Sequence, residues 1–532
     1  MTSTTIIRPA DPTLHAALRL AALFALLKLI VTFALTLYTT HIGYSYFRDE
    51  FYYIACGHHL AWGFVDHGPI VALQSRLGET LFGRSVFGIR ILSAFAGALT
   101  VFLTGLIAWA MEGRRSAQTL AMFAILLTPQ YIGVDGFLSM NSYEPVFWML
   151  CAFAILMLLR QTSPAIWWTV FGLSAGIGLL NKPSMTFFLI AVGIGLLCTS
   201  ARRVLWSRWA AFGIVLMFAI ALPNVVWQVH NHWPTLEFLQ NGRAGGKNAI
   251  LNPLQFFLSQ FVMLAPQNAL LWITGVVALL RAKSIRNGRW FGIAFLVFYV
   301  FMDAIHAKDY YLEGIYPALF AAGAIAWEHR FARSRWVIEG RIFAFPILET
   351  IFLVLGILVL PMASPVLRPA QWVRYTNALH LHHAESETSA TGPLPQFFAD
   401  RFGWQEQVDL VTQAYRQLTP GEQKHVCLFG SNYGEAGAID FLSGTEHLGL
   451  PPAISGQNSY WGWGMHGCDT NTVIAIVGDM RQQLESKYER VDLIGQIDAP
   501  YAMPFERRHH VWLLRDRKPS SPFHWEDERF YY

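Results

Sequence analysis

The run HAALRLAALFALLKLIVTFALTLYTT at residues 15–40, followed a few positions later by Arg48-Asp49-Glu50, decides how this chain is read. About twenty predominantly apolar residues cross a bilayer as a helix, and this run is longer than that. Two adjacent carboxylates then lie at the mouth of the span. Acids held at a membrane–water boundary are poorly hydrated and point to proton chemistry or cation binding on one side of the membrane. The alternative is that Asp49 and Glu50 only mark the helix end and face water.

Composition extends the same reading. Of 532 residues, 54% are hydrophobic and 14% charged, with a mean hydropathy of +0.35. A soluble protein carries about 25% charged residues, so a polytopic membrane protein is expected. The net charge of +4, without a Lys/Arg-rich block, gives no basis for nucleic-acid binding. Cys56, Cys151, Cys198, Cys427 and Cys468 form no CxxC pair and hence no zinc or redox motif. No small-residue cleavage site follows the first apolar run, which reads as a retained span.

Further spans are expected near 85–110, 117–133, 144–160, 165–181, 184–200, 208–229, 256–280, 290–305, 311–327 and 343–362, about eleven in all. Alternate loops differ in charge. One set holds Arg114-Arg115, Arg160, Arg202-Arg203-Arg208, Arg281-Lys283-Arg286-Arg289 and Arg330-Arg333-Arg335-Arg341; the other (41–84, 130–143, 181–183, 230–255, 305–311) is poorer in Lys and Arg. Basic loops stay cytoplasmic, which places the N-terminus inside and Asp49-Glu50 outside. An odd number of spans places everything after residue 362 outside as well.

Beyond about residue 366 the pattern changes. His425–Phe429, Thr472–Val477 and His510–Leu514 read as buried strands, and Glu406–Leu418 and Glu435–Leu442 as helices between them, giving a small α/β domain. The expected organisation is therefore a membrane domain over 1–365 and an extracytoplasmic α/β domain over 366–532. Residues 381–396 read as a polar connector.

The candidate chemical groups fall on the outer side. Loop 41–84 holds Asp49, Glu50 and Asp66-His67-Gly68-Pro69, and its stretch 51–65 has the aromatic, amphipathic character of a helix lying in the interface. Other outer segments supply Glu144 beside Pro145, Arg243 and Lys247 among glycines, and Lys308 with Tyr310 and Tyr311. A carboxylate such as Asp49 can take the proton of an attacking hydroxyl. Lys308, Arg243, Lys247 or Lys182 can hold a phosphate whose lipid tail lies between helices. Structural readings stand beside these: Glu144 as a helix-start acid favoured by the dipole, Lys182 as an interface marker, and the glycines as turn residues. His58, His59 and His67 with Asp66 offer metal-ligand chemistry without a defining spacing. Trp461 and Trp463 suit a sugar-facing or docking surface. The 432–438 loop suits either an anion on its backbone N–H groups or packing.

In order and sidedness these residues resemble the GT-C membrane glycosyltransferases of family 39, the protein-mannosyltransferase and aminoarabinose-transferase group. The resemblance rests on Asp49-Glu50, Asp66-His67-Gly68-Pro69, Arg90 in its Gly-Ile-Arg-Ile-Leu pattern, Glu144, the 172–182 stretch GLSAGIGLLNK, and Lys308-Asp309-Tyr310-Tyr311 with Tyr316-Pro317. It covers roughly residues 15–365. The tail resembles a bacterial branch through Arg401-Phe402-Gly403-Trp404, the 432–438 stretch NYGEAGA and 451–456 PPAISG. The resemblance implies a GT-C fold and inverting transfer of a sugar from a polyprenyl-phosphate donor to a lipid, glycan or protein hydroxyl on the periplasmic or extracellular face, in a bacterial inner or plasma membrane. Asp49 takes the role of base, with Glu50, Asp66 and Glu144 in the catalytic group. His67, Arg243, Lys247, Lys308, Tyr310 and Tyr311 contact substrate. Either no cofactor is needed or a divalent metal ion binds at Asp66 and His67. Three departures stand out. His67 and Gly68 replace a Lys and a Pro frequent in relatives, Glu144 replaces the more usual Asp, and the tail differs from eukaryotic soluble modules. A lipid-linked-saccharide transporter or flippase, a glycan polymerase, and an anchored glycan-binding assembly protein are the competing classes. The first is disfavoured by the lack of an internal repeat.

Overall fold

The computed structural model describes residues 13–247, 249–332, 337–338, 341–342, 344–380 and 387–532. Arg333 and Arg335 of the last basic cluster, and positions 381–386 of the polar connector, lie outside the described residues. In lipid a backbone must satisfy its own hydrogen bonds, and each expected span coincides with helix. Leu14–His41, Val86–Ala110, Met140–Leu159, Arg208–His230 and Ala344–Ala363 are long and apolar enough to cross a membrane by themselves. Pro164–Asn181, Ser184–Leu197, Arg289–Ala304 and Tyr316–Ala332 are shorter. The protein is an integral membrane protein. Among the described residues, five helices are long and apolar enough to be lone spans, or six with one bent pair counted as a span.

Two expected spans are broken, both at proline. The segment expected at 256–280 is Pro253–Leu264 followed by Pro266–Arg281, bent by 106°. The segment expected at 117–133 divides into Arg115–Leu127 and Pro129–Val134, with Thr128 extended (ψ 123°). Proline removes a backbone donor and pushes the preceding residue out of the helical region. Ala265, before Pro266, has φ 66° and ψ 139°. Hydropathy windows register the apolar content of such a run and miss the break.

The chain divides into two compact units, Met1–Leu37, Arg90–Pro223 and Ile250–Val366 in one, and Tyr38–Ile89, Asn224–Ala249 and Leu367–Tyr532 in the other. The first is helical around a core that includes Trp148, Trp168, Trp290 and Tyr316, each at most 1% exposed. Close helix approach comes from small residues: a Cβ at Gly275 would strike the Leu319 carbonyl, and one at Gly323 the Leu271 carbonyl.

The second unit contains a five-stranded sheet built from β1 (Val426–Gly430), β2 (Ala453–Ile454), β3 (Asp469–Val477), β4 (Tyr488–Gln496) and β5 (His510–Arg517) in the order β2-β1-β3-β5-β4. β1 runs parallel to β2 and β3, whereas β5 is antiparallel to β3 and β4. Helices Trp404–Arg416 and Tyr433–Glu446 flank it, and a disulfide joins Cys427 to Cys468. No spacing motif marks that pair, whose sequence separation is 41. The same unit holds helices Arg48–His58 and Pro69–Phe82. The aromatic stretch expected to lie at the interface over 51–65 is instead helical only to His58, and Glu50 through Gly57 are all buried. Its rings serve protein packing, with Phe51 5.5 Å from Trp404 and 6.0 Å from Phe441.

Candidate active site

Helix Arg48–His58 opens with Asp49 and Glu50 in its first turn, where acids favour the helix dipole. The two acids have separate surroundings. Glu50 is fully buried, and its Oε2 accepts the Phe47 N–H at 2.8 Å. This satisfies a backbone donor left open at the helix start, which is a structural task. Asp49 keeps 29% of its side chain exposed, lies 3.7 Å from the Arg48 guanidinium, and accepts a hydrogen bond from the Tyr433 hydroxyl at 2.9 Å. Its carboxylate is thus oriented on one side and open on the other.

Asp66 joins the same group through tyrosines. The Tyr52 hydroxyl donates to Asp66 Oδ1 at 2.8 Å and lies 2.8 Å from Ser459 Oγ. The Tyr52 and Tyr433 rings stack at 4.6 Å. Burial pushes the Asp66 carboxyl above its ordinary value, opposed by His67 and the Tyr52 hydroxyl. Burial likewise lowers the His67 imidazole. His67 Nδ1 is 2.7 Å from the Gly68 carbonyl, which can only accept, so Nδ1 carries the proton. Nε2 is buried without a hydrogen-bond partner and presents a bare lone pair. Such an atom accepts from a hydroxyl; it does not grip a phosphate oxygen, so the change from Lys at this position is a change of chemistry.

Behind Asp49, the Arg48 guanidinium also lies 3.7 Å from the fully buried Asp400 side chain. Burial raises Asp400 to about 6 despite the guanidinium. The other histidines of the proposed metal set have separate partners. His58 Nε2 is 2.6 Å from Glu79, and His59 stacks on Trp463 at 4.2 Å. Among the described residues, the group of three or more side chains placed to hold an ion is Glu435, Glu506 and His509, which includes neither Asp66 nor His67. A cavity of about 680 Å³ in this unit is lined by Phe51, His58, His59, Asp440, Tyr460 and Trp463. Its mixture of ring faces and polar atoms suits a sugar or lipid headgroup.

Arg243, in the last turn of Pro234–Ala244, and Lys247 belong to this unit too. The Lys247 ammonium lies 5.0 Å from the Tyr532 ring centre. Glu144, Lys308, Tyr310 and Tyr311 belong to the other unit. There the helix carrying Glu144 begins at Met140 under a Ser139 cap, and no acid lies in its first turn. The dipole explanation for Glu144 therefore fails. Glu144 is buried and accepts from Lys182 Nζ at 2.7 Å and from Ser184 Oγ. Tyr311 and Tyr310 face the same ammonium, 4.4 and 5.4 Å from its nitrogen, and Lys308 is 5.9 Å from the Tyr310 ring. Lys182 is thus the centre of that cluster.

Residues 66–227 match the family model described as dolichyl-phosphate-mannose-protein mannosyltransferase. Over 158 residues the chain is 24% identical to an undecaprenyl phosphate-alpha-4-amino-4-deoxy-L-arabinose arabinosyl transferase of Sodalis glossinidius, covering 29% of this chain and 28% of that protein. Over 165 residues it is 27% identical to the corresponding transferase of Pseudomonas savastanoi pv. phaseolicola, covering 30% of each. The chain thus spans less than a third of the length of the curated relatives it matches. The crystal structure of ArnT from Cupriavidus metallidurans bound to undecaprenyl phosphate superposes with a TM-score of 0.59 at 15% identity, over 92% of this chain and 97% of that one. The chain has the GT-C fold of that structure, and its residues 66–227 are similar to the matched mannosyltransferase family model. The family-model match starts at Asp66 and takes in Glu144 and Lys182. Asp49 and its partner Tyr433 lie outside the matched residues.

Proposed function

We propose that the protein is an inverting glycosyltransferase of a bacterial inner membrane that moves a sugar from a polyprenyl-phosphate donor to a hydroxyl acceptor on the periplasmic face. The observation that carries this reading is the Asp49 carboxylate, oriented by Tyr433 and Arg48 and open on its free side. The acceptor oxygen attacks the anomeric carbon as its proton passes to Asp49. The bond from that carbon to the phosphate oxygen breaks, and polyprenyl phosphate leaves with the electron pair. One displacement inverts the anomeric centre without a covalent enzyme intermediate. Asp66 positions the acceptor side through Tyr52, and the His67 lone pair takes a hydrogen bond from a sugar hydroxyl. Arg243 and Lys247, in the unit that carries Asp49, supply positive charge for the leaving phosphate, and in the other unit Lys308, Tyr310 and Tyr311 gather with Lys182 and Glu144 as a separate cluster of substrate-binding chemistry. Glu50 acts through the helix cap. The relatives' undecaprenyl-phosphate aminoarabinose donors make a polyprenyl-phosphate pentose the first donor to try.

The outward orientation of residues 366–532 is supported by the alternation of basic loops and by the Cys427–Cys468 disulfide, a bond that persists in oxidising compartments. The test uses purified protein with a panel of polyprenyl-phosphate monosaccharides and measures release of polyprenyl phosphate together with glycosylated acceptor. Asp49→Asn is expected to lower turnover by about a hundredfold or more with unchanged melting. Wild-type rates in that variant remove Asp49 as base. Absence of transfer by the wild-type protein across the whole panel sinks the transferase reading.

A further inference from the structure

We propose that Glu435, Glu506 and His509 form a binding site for a divalent transition-metal ion, with Zn²⁺ the best match, and that the ion fixes the segment that carries Tyr433. One oxygen from each carboxylate and one imidazole nitrogen lie within 4.8 Å of one another. His509 Nδ1 is 2.5 Å from Glu435 Oε1 and 3.8 Å from Glu506 Oε2. An N,O,O set suits Zn²⁺, which holds such ligands at about 2.0–2.2 Å and tolerates water in a fourth position. Seating the ion requires the Glu435–His509 pair to open to about 3.3 Å, the separation of two tetrahedral ligands at those bond lengths.

Independent support comes from Glu506. Its side chain is 4% exposed, and its Oε2 is buried without a hydrogen-bond partner while facing the imidazole. Its other oxygen accepts from Asn432 Nδ2 at 3.1 Å. A carboxylate so enclosed needs a cation or a proton, and Arg48 is already shared between Asp49 and Asp400. His509 also lines a cavity of about 390 Å³ with Gly478, Asp479, Gln496 and Arg508, which gives an ion a route in.

Outer contacts give the site a consequence. The second oxygen of Glu435 accepts the Ser431 N–H at 2.6 Å, the Ser431 hydroxyl at 2.8 Å and the Asn432 N–H at 3.3 Å. Asn432 caps helix Tyr433–Glu446, and Tyr433 donates to Asp49. Glu435, Glu506 and His509 are positioning residues, and their metal content can be read without any activity.

The test is elemental analysis of full-length protein purified in detergent, followed by chelation, dialysis and titration with ZnCl₂ monitored by melting temperature. At least half an equivalent of bound metal, or saturable Zn²⁺-dependent stabilisation of the chelated wild-type protein, is expected, and either is to be lost in Glu506→Gln and His509→Ala but retained in His67→Ala. A wild-type protein with neither property shows that the three groups share a proton instead. Metal or stabilisation retained in Glu506→Gln and His509→Ala, or lost in His67→Ala, places the ion elsewhere; each result overturns the proposal. Should the two variants fail to fold, titration of the chelated wild-type protein with ZnCl₂ and with MgCl₂ decides it, since a site with an imidazole ligand must favour Zn²⁺. Equal stabilisation by both ions also overturns it.

Discussion

At the residue scale, the site turns on how two neighbouring acids are used. Glu50 spends its carboxylate on the Phe47 N–H, whereas Asp49 receives one tyrosine hydroxyl and keeps an open side. Tyr433→Phe deletes that hydroxyl and little else. A hydrogen bond to a charged group contributes about 1.5–3 kcal/mol, so turnover in the proposed transfer is expected to fall by roughly tenfold to a hundredfold. KM for the lipid donor should change little, because Tyr433 acts on the proposed base, Asp49. A variant that raised KM alone would place Tyr433 in donor binding. The partnership between Asp49 and Tyr433 joins residues 384 apart, and nothing in either stretch of sequence marks the other.

At the scale of elements, the helix that carries Asp49 is held by close backbone approach. A Cβ at Gly437 would lie 2.9 Å from the Phe51 carbonyl carbon and 2.9 Å from Phe51 Cβ. Backbone cannot yield as a flexible side chain does, so Gly437→Ala is expected to cost about 1–3 kcal/mol. It should also lower turnover by displacing helix Arg48–His58. Melting curves beside initial rates check both, and an unchanged melting temperature would show that the helices part freely. The disulfide acts on a different element, tying the start of β1 to the approach to β3. It closes a 41-residue separation, for which chain entropy gives about 4 kcal/mol. Cys427→Ser with Cys468→Ser is expected to lower the melting temperature by several degrees, and reducing agent should have the same effect on wild-type protein but none on the double variant.

At the scale of the whole molecule, buried acids outside the spans set the response to pH. Asp440 accepts the Ala453 N–H and the Tyr460 hydroxyl, and burial raises its carboxyl from 3.8 to about 6, with His58 opposing. Between those values the native protein holds a proton that the unfolded chain has released. Stability from this group is therefore greatest at low pH and declines as pH rises towards about 6, then levels. Asp440→Asn is expected to flatten that part of a plot of melting temperature against pH. An unchanged slope would assign the decline to the other raised acids, Asp66 and Asp400.

The sequence by itself determined the class of molecule, because apolar length and charge asymmetry are properties of short windows. It also determined three of the five strands of the C-terminal sheet and the two helices Trp404–Arg416 and Tyr433–Glu446, whereas β2 and the nine-residue β4, which is only partly buried, were not legible. Asp49 was legible from its place after the first span. Tertiary structure decided the rest. It separated Asp49 from Glu50, gave Glu144 to Lys182, turned the aromatic 51–58 helix into packing, and brought Tyr433 to Asp49. It also gathered Glu435, Glu506 and His509 around one point. The physical reason is common to all five. A side chain's chemistry is set by the atoms within a few ångströms of it, and here, apart from the Phe47 N–H on Glu50, those atoms come from segments tens to hundreds of residues away.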